Sequence, residues 1–464
     1  RPYRNIAARR SRQGGMALLI ALVVLVVVTV LGMVSMRTAL FQNRVSINNQ
    51  MTTQAFPAAE SGLATALSLG IAQTTVGANN IPNDGDEFQP GDSRHLFIDA
   101  VIHSTEPRRV CMTEDGAQLS ENDGVRNADG SINKEKFTLN HLTKHLRKKL
   151  RTKVHFADDC IGKAAVKKAA ALKPGEVLLL ENTRFYEEEE KGDPAFAQKL
   201  AALGDVYVND AFGTAHRAHA STTIVAKYFD KAHKTFGLLM EREITNATRA
   251  MKNPEKPVTC VTGGSKVSDK MLLLEKFLDY ADHILIGGAM AYTFFLAKKG
   301  AVGNSLVEPE RLQTAKDFLA KAKAAGVKVI LPKDSVCADK FAADAATQIT
   351  NSNQIPNGWM GLDIGPSAAR QFAGVIRKSK TVIWNGPMGV FEMAPFAEGT
   401  KTVAKACATA TKNGAFVMVG GGDSVAAINQ LKLAKKVSFV STGGGAMLEF
   451  LEGKTLPGIA AIEE

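Results

Sequence analysis

Val419-Gly420-Gly421-Gly422-Asp423-Ser424 and, about twenty positions later, Ser441-Thr442-Gly443-Gly444-Gly445 form two glycine-rich turns in one half of the chain. Each turn joins an apolar strand pattern to a helical pattern, with strands at 415–419 and 437–440 and helices at 424–431 and 446–451. Free backbone N–H groups and the positive end of a helix converge at such turns, which suits a phosphoryl group. Glycine lets the backbone approach phosphate oxygens, and Asp423 adds an oxygen ligand for magnesium. Glycine-rich turns also occur as plain connections, but two in tandem, one with an aspartate, favour a phosphate site.

The composition is that of a globular chain with one unusual end. Its 464 residues are enough for about three domains, and a hydrophobic content of 45% is enough to form their cores. The net charge is +11, but seven arginines precede the first acidic residue, Glu60, which leaves +4 after residue 50. A net charge of +4 over the rest of the chain does not indicate a nucleic-acid-binding surface. The five cysteines are scattered without a C-x-x-C pair, which indicates a reducing compartment and no structural zinc.

An uncharged apolar segment lies near the start of the chain. No charged residue occurs from Gln13 to Met36, and about 20 helical residues at 1.5 Å each cover the ~30 Å of a bilayer core. This length argues against a buried soluble helix or a signal-peptide core, so we predict a transmembrane helix over 16–36. The arginines before it predict a cytoplasmic N-terminus, attachment to the inner membrane and export of the downstream residues. Recovery of the intact chain in the soluble fraction without detergent would contradict this expectation.

Residues 8–70 resemble the N-terminus of a minor type IV pilin or pilus-assembly protein. The resemblance rests on a basic leader ending in Gly14-Gly15, an apolar helix from Met16 and the stretch Ala55-Phe56-Pro57-Ala58-Ala59-Glu60. One departure is Ile20, because major pilins carry a glutamate at this position of the helix. We therefore expect a leader at 1–15, a pilin-like membrane helix at 16–70 and a loop-rich pilin remnant or linker with short strands at 71–122.

Beyond residue 137 strand and helix patterns alternate, which predicts parallel sheets in two α/β layers. The expected strands are 154–156, 176–180, 205–208, 258–262, 283–286, 327–331, 381–384, 415–419 and 437–440. The stretch from Leu238 to Met251 contains neither Gly nor Pro, and it is the candidate for a helix that joins two lobes.

Six motifs in this part of the chain resemble phosphoglycerate kinase, and they are in the same order as in that family. They are Leu178-Leu179-Leu180-Glu181-Asn182-Thr183-Arg184-Phe185, the stretch from Val208-Asn209-Asp210 to Ser221, Gly263-Gly264-Ser265-Lys266-Val267-Ser268-Asp269-Lys270, Trp384-Asn385-Gly386-Pro387-Met388-Gly389-Val390-Phe391-Glu392, and the two glycine-rich turns. The resemblance covers 123–464 and implies a two-lobed α/β fold of parallel sheets with helices on both faces. It implies a truncated substrate lobe at 123–245, a nucleotide lobe at 246–445 and a return to the substrate lobe at 446–464. The predicted N-terminal transmembrane α-helix completes the expected architecture.

The resemblance also assigns roles on the substrate side. Arg184 and Arg217 would bind the phosphate of 3-phosphoglycerate or 1,3-bisphosphoglycerate, for which guanidinium groups are suited. Without the resemblance, solvated surface arginines are the better interpretation. His216 and His219 are expected to be hydrogen-bonded structural residues, because phosphoryl transfer needs positioning and charge neutralisation more than a general base.

On the nucleotide side the resemblance implies ATP or ADP with Mg²⁺. Lys266 would stabilise the moving phosphoryl group together with Gly422 and Gly445, and Lys270 would contact nucleotide phosphates. A solvated lysine pair is the alternative for Lys266 and Lys270. The implied nucleotide-binding set is Lys270, Gly287, Gly288, Gly303, Glu392, Gly420, Gly421, Gly422, Asp423 and Ser424, with Asp423 also holding the metal ion through the nucleotide.

Three motifs of the family are missing from this sequence. They are an Arg-Val-Asp-Phe-Asn-like strand, a following arginine and a His-Leu-Gly-Arg-Pro loop, all from the start of the substrate lobe. Asn122-Asp123-Gly124-Val125-Arg126 resembles the residues just after that loop, so the break falls near residue 122. We expect the loss of these strands to expose sheet edges and to leave the substrate lobe poorly folded.

Three functions stay open on the sequence. The first is the glycolytic phosphoryl transfer between 1,3-bisphosphoglycerate and ADP, weakened by the missing part of the substrate lobe. The second is a membrane-anchored pilus component with an incidental C-terminal region, and the third is nucleotide binding without catalysis. The expected partners are the sugar-acid substrate, an adenine nucleotide and, through 16–36, a membrane, with no nucleic acid and a monomeric kinase part. Because the kinase family is cytoplasmic, its union with an exported segment indicates either a gene fusion or an artefact of reading frame or sequence assembly.

Overall fold

The computed structural model describes residues 131–464 and, as backbone strands, residues 95–98 and 109–112. All of these belong to one unit, Pro57–Glu464. The predicted leader and membrane helix lie outside the described residues. Within the described part of the chain, no helix is long and apolar enough to cross a membrane.

The first sheet has six strands, all parallel, in the order β3-β4-β2-β1-β5-β6. Its strands are β1 His95–Ile98, β2 Arg109–Met112, β3 Val154–Phe156, β4 Val177–Leu179, β5 Val206–Asn209 and β6 Lys234–Phe236. The helices of this part are α1 Lys134–Phe137, α2 Leu142–Leu150, α3 Lys163–Ala170, α4 Glu187–Glu190 and α5 Pro194–Ala201. Side chains of α3, β4, β5 and α5 form one apolar core on this sheet.

The first sheet is continuous, whereas the missing family motifs led us to expect exposed sheet edges in this part of the chain. Strands β1 and β2 come from the segment that the sequence assigned to loop with short strands, and they lie at the centre of the sheet. β2 pairs with β4, and β1 pairs with both β2 and β5. Any extended segment can satisfy the backbone groups of two neighbouring strands, so the sheet is continuous without the family's sequence motifs. The domain boundaries themselves stay a prediction.

The second sheet also has six parallel strands, in the order β10-β8-β7-β15-β16-β17. Its strands are β7 Val258–Thr262, β8 His283–Ile286, β10 Lys328–Ile330, β15 Thr381–Asn385, β16 Phe416–Gly420 and β17 Phe439–Val440. The helices here are α6 Leu238–Met251, α7 Met271–Phe277, α8 Met290–Ala297, α9 Leu312–Ala324, α10 Pro366–Ile376, α11 Glu398–Lys412, α12 Gly422–Gln430, α13 Gly444–Leu451 and α14 Pro457–Glu463.

Successive residues of these strands pack into two different cores. Cys260 and Ile383 join one core with α7, α8 and α9, whereas Val261 and Trp384 join the other with α10 and α11. Side chains alternate between the two faces of a strand, and both faces are covered by helices, which is why the strands are continuous apolar runs. The predicted α/β arrangement of parallel sheets with helices is confirmed.

A small antiparallel sheet lies beside the second sheet and was not predicted. It has the order β12-β11-β14, formed by β11 Asp334–Ala338, β12 Thr347–Asn351 and β14 Met360–Ile364, and a further short pair joins β9 Ala301–Val302 to β13 Gln354–Ile355. Strand β12 is largely exposed and polar, so it lacks the apolar run by which the other strands were recognised.

Helix α6 connects the two sheets and has the bounds that the sequence predicted. Gly237 precedes it, and the buried carboxylate of Asp210 accepts a hydrogen bond from Met240 N at 3.0 Å. Burial raises the pKa of Asp210 to about 7, although hydrogen bonds from Met240 and Leu239 act in the opposite direction. The C-terminal helix α14 returns to the first sheet, where Asn209 Nδ2 donates to Gly458 O at 3.2 Å.

Candidate active site

The first glycine-rich turn lies at the carboxyl end of β16. Gly421 has a φ of 83°, and a Cβ atom there would lie 3.1 Å from Asn385 Nδ2, so glycine is required for both conformation and space. Helix α12 begins at Gly422, slightly earlier than the sequence indicated, and Asp423 lies in its first turn. The Ser424 hydroxyl is buried and accepts a hydrogen bond from Gly386 N. The turn therefore presents a helix N-terminus next to the end of β15.

Lys270 and Asn385 meet at this point. Lys270 Nζ donates to Asn385 Oδ1 at 2.6 Å, and Asn385 is 1% exposed. The Nδ2 group of Asn385 is buried without a hydrogen-bond partner within 131–464. Burial lowers the pKa of Lys270, and the nearby charge of Asp423 partly offsets that effect. An ammonium group and an orphaned amide donor beside a helix N-terminus form a site to which an anion is complementary.

Two carboxylates lie on the solvent side of this site. Asp423 and Glu392 are both exposed. Desolvation, and then the charge of Asp423, raises the pKa of Glu392. Among the described residues no group of three His, Cys, Asp or Glu side chains could hold a metal ion. Asp423, in the first turn of α12, supplies one carboxylate oxygen donor of the kind that holds Mg²⁺ together with substrate phosphates.

Of the other predicted nucleotide residues, Gly287 and Gly288 lie on a turn that contacts neighbouring strand ends, and Gly303 lies against a different segment. Gly287 N donates to Thr262 O at 2.8 Å, and Gly288 N donates to Met388 O at 3.0 Å, so the ends of β7, β8 and β15 are joined. Lys266 is exposed, and no hydrogen bond or ion pair to it is found within 131–464. Gly303 follows β9 and lies against Pro356 and Trp359.

The predicted substrate residues form a positive cluster. Arg184 is buried with its Nε 3.9 Å from a Glu190 oxygen, and Arg217 Nε donates to His216 Nε2 at 3.4 Å. Burial, followed by the charges of Arg184 and Arg217, lowers the pKa of His219 to about 4. The same charges therefore act on one buried imidazole, which brings the two arginines to one place. The Nδ1 atom of His219 is buried and has no partner among the described residues, whereas His216 has a backbone hydrogen bond to Gly213.

This environment predicts how His219 titrates. Its pKa is about 4 in the folded chain and 6.5 as the ordinary value, so the folded state resists protonation. The stability contributed by neutral His219 is complete above pH 6.5 and is lost as the pH falls from 6.5 to 4. We expect the imidazole resonances of His219 to show no titration between pH 8 and 5 in NMR spectra of the full chain in detergent. A midpoint of 6 or above would contradict the proposed cluster.

The second glycine-rich turn packs against the substrate side. A Cβ atom on Gly443 would lie 2.5 Å from the ring of Phe212, so this turn and the segment after β5 are in close contact. Glu243 of α6 is fully buried and accepts hydrogen bonds from Ser441 Oγ, Thr442 N and Thr442 Oγ1 at 2.7–2.8 Å. Desolvation raises the pKa of Glu243, and these hydrogen bonds act against that effect. The connecting helix is thus tied to the turn that carries Gly445.

Sequence reasoning missed three parts of this arrangement. Asn385 lies inside a motif that was recognised, and its place at the end of a buried strand was the available signal. Glu243 binds Thr442 N and Glu308 binds Val267 N and Ser268 N, all far away in sequence, so no local pattern could reveal these two carboxylates. Two of the large apolar side chains exposed in 131–464, Leu272 and Leu306, flank the segments that carry Lys270 and Glu308.

Comparison with known proteins decides the family. The family model described as phosphoglycerate kinase matches residues 119–454. The chain belongs to the phosphoglycerate kinase family. Family members named as such include one from Porphyromonas gingivalis, 51% identical over 351 residues, which match 70% of this chain and 84% of that protein. The cytosolic phosphoglycerate kinase of Triticum aestivum is 48% identical over 385 residues, with 83% of this chain and 93% of the wheat protein covered.

Solved structures give the same result. The structure of phosphoglycerate kinase from Coxiella burnetii matches with a TM-score of 0.68 and 34% identity, covering 81% of this chain and 97% of that chain. The crystal structure of the Pyrococcus horikoshii phosphoglycerate kinase matches with a TM-score of 0.64 and 27% identity. The matches to the wheat protein and to the Coxiella burnetii structure cover 83% and 81% of this chain, more than residues 123–464 alone could supply. The likeness therefore extends upstream of the predicted break.

The start of the chain matches a second family model. Residues 14–64 match the model described as PilX N-terminal. The pilin-like resemblance of this segment is therefore confirmed. Attachment to a membrane through 16–36 stays a prediction.

Proposed function

We propose that this chain binds a magnesium adenine nucleotide at the carboxyl edge of the second sheet and transfers a phosphoryl group between ADP and 1,3-bisphosphoglycerate at a strongly reduced rate. The observation that carries the proposal is the buried Nδ2 group of Asn385, which has no partner in 131–464 and lies beside Lys270 and Gly421. Leaving such a donor buried and unsatisfied costs about 1–3 kcal/mol. A phosphate oxygen would satisfy it.

The surrounding residues support a nucleotide in particular. The amide groups of Gly421 and Gly422, at the start of α12, suit phosphate oxygens, and Asp423 would hold Mg²⁺. When bound, the ion neutralises phosphate charge. Leu272, two residues after Lys270, is more than half exposed and offers apolar surface for a base. We assign to Glu392 the hydrogen bonds that the nucleotide ribose donates. We assign to Lys266 the positive charge that faces the moving phosphoryl group.

The substrate side supports a phosphorylated acid. Arg184 and Arg217 supply the permanent positive charge on this side. His219 contributes no charge at physiological pH, because its lowered pKa keeps the imidazole neutral. Arginine forks match phosphate oxygens, and the unpartnered Nδ1 atom of His219 adds hydrogen-bonding capacity. The three family motifs that the sequence lacks belong to this same side, which is the reason for the reduced rate.

The experiment that tests the metal assignment is calorimetry on the full chain in detergent, with ADP in the presence and absence of Mg²⁺. Asp423→Ala is expected to remove most of the magnesium enhancement, while Asp317→Ala, an exposed aspartate of α9, leaves it unchanged. Loss of one carboxylate ligand should weaken Mg·ADP about tenfold or more, since hydrogen bonds and contacts to charged groups are worth about 1.5–3 kcal/mol. An Asp423→Ala chain with unaltered magnesium enhancement would refute the assignment.

A further inference from the structure

Three hydrogen bonds join Glu308 to the loop from Lys266 to Lys270, which we call the lysine-bearing loop. Its carboxylate accepts from Val267 N and from Ser268 N, the latter at 3.1 Å, and its second oxygen accepts from Ser268 Oγ at 2.6 Å. These donors lie 40 and 41 residues away in sequence, so the contact is entirely tertiary. A short turn, Ser268–Lys270, and α7 come directly after them. The carboxylate therefore satisfies free N–H groups at the start of this helical stretch.

Glu308 is itself held in place. Its backbone N–H donates to Thr293 Oγ1 of α8 at 3.1 Å. Helix α8 comes after the turn of Gly287 and Gly288, whose backbone is bound to Thr262 and Met388. A continuous series of contacts thus links the glycine turn to Glu308 and, through Glu308, to the lysine-bearing loop.

The loop has few other fixed points. Val267 is buried in the core on that face of the sheet, whereas Lys266 and Asp269 on either side are exposed. Lys270 leaves the loop toward Asn385, where it donates at 2.6 Å. Partial burial opposes ionisation of Glu308, but the hydrogen bonds from Ser268 and Val267 outweigh it and lower its pKa, so the group is a carboxylate at neutral pH.

We propose that Glu308 is a positioning residue for phosphate recognition: it fixes the loop from Val267 to Lys270 so that Lys266 and Lys270 face the nucleotide phosphates. The inference rests on the proposed nucleotide site. It assigns Glu308 no contact with the nucleotide itself. Its loss should therefore weaken binding of the phosphates and leave binding of the nucleoside almost unchanged.

The test compares Glu308→Gln with Glu310→Gln in the full chain in detergent. Glu310 is an exposed glutamate two residues away, and it serves as the matched control. Glutamine keeps the length of the side chain but turns one acceptor into a donor that faces N–H groups. We expect Glu308→Gln to weaken Mg·ADP about tenfold, the order expected for charged hydrogen bonds. Adenosine affinity should change less than twofold, and Glu308→Asp, which keeps the charge, should restore part of the ADP affinity.

Amide hydrogen exchange on the nucleotide-free chain gives an independent readout. Glu308→Gln should accelerate exchange at Val267 and Ser268, and Glu310→Gln should not. Equal losses for ADP and adenosine would show a general structural role and overturn the inference, as would unchanged exchange and unchanged ADP affinity. If the unaltered chain binds no ADP, the proposed function fails and phosphate positioning fails with it. The exchange result still decides whether Glu308 anchors the loop.

Discussion

A coupled assay on the purified, detergent-solubilised chain is expected to show turnover at least a thousandfold below the ~1–100 s⁻¹ usual for kinases. The family resemblance places an arginine and a carboxylate-binding group in the motifs that are missing from this sequence. Removing an arginine that neutralises a transferring phosphoryl group costs about 10³–10⁵ in rate in other phosphoryl-transfer enzymes. Substrate positioning would be lost as well, and positioning contributes independently to the barrier.

The fold of the first sheet does not by itself restore these groups. Strands β1 and β2 complete the sheet in the structure, and Arg184 and Arg217 still share one positive cluster. Backbone pairing needs only an extended segment, whereas charge neutralisation needs particular side chains at the strand ends. Arg217→Ala, measured beside the unaltered chain, should abolish any residual turnover. Turnover within tenfold of ordinary kinase rates would show that other residues have replaced the missing ones.

Lys270→Ala is expected to weaken Mg·ADP binding by about 10- to 100-fold, since hydrogen bonds to charged groups contribute about 1.5–3 kcal/mol. The ammonium group lies against Asn385, and its removal also leaves Asn385 Oδ1 without its donor. Burial lowers the pKa of Lys270, so a phosphate dianion would gain from pairing with a cation that is already partly desolvated.

The matched control for this substitution is Lys316→Ala on α9. Lys316 is exposed, so its removal should leave both ADP affinity and stability within error. Calorimetry with ADP and with adenosine separates a phosphate effect from a general one. A Lys270→Ala chain that binds ADP as tightly as the Lys316→Ala chain would remove Lys270 from the site.

Most of the parallel strands could be predicted because they contain buried apolar residues, whereas β6, Lys234–Phe236, is only partly buried and was not predicted. All nine predicted strands are present, and their ends differ by at most two residues, as for 437–440 against Phe439–Val440. Both faces of such strands contact helices, so no alternation with polar residues obscures them. Helix α6 was predicted with its observed bounds, because a glycine precedes it and no Gly or Pro interrupts it.

The missed elements lack that signal for physical reasons. Strand β12 alternates exposed and half-buried polar residues, and its stability comes from pairing with β11. Short strands were expected in the Gly-, Asn-, Asp- and Pro-rich segment that contains β1 and β2, but their place in the sheet was not, because only the neighbouring strands define it. Local propensity is a weak guide where tertiary pairing decides the structure.

The residues of the site also divide into those with a local sequence signal and those that depend on tertiary contacts. Glycine turns, paired lysines and Asp423 can be recognised by their spacing, because a phosphate site needs them within a few residues. Asn385 Oδ1 accepts a hydrogen bond from Lys270, 115 positions away, and the carboxylate of Glu308 accepts one from Ser268, 40 positions away. Such contacts depend on the folded arrangement of the strand ends, and only the structure shows them.

The most direct test is a calorimetric titration of the unaltered full chain in detergent with Mg·ADP. The nucleotide site proposed at Lys270, Asn385 and Gly421–Asp423 predicts saturable heat with one equivalent of ADP per chain, weakened when Mg²⁺ is removed. It also predicts that inorganic phosphate competes weakly and that adenosine alone binds far less tightly. A folded chain that gives no heat with ADP or ATP, with or without Mg²⁺, would contradict the account.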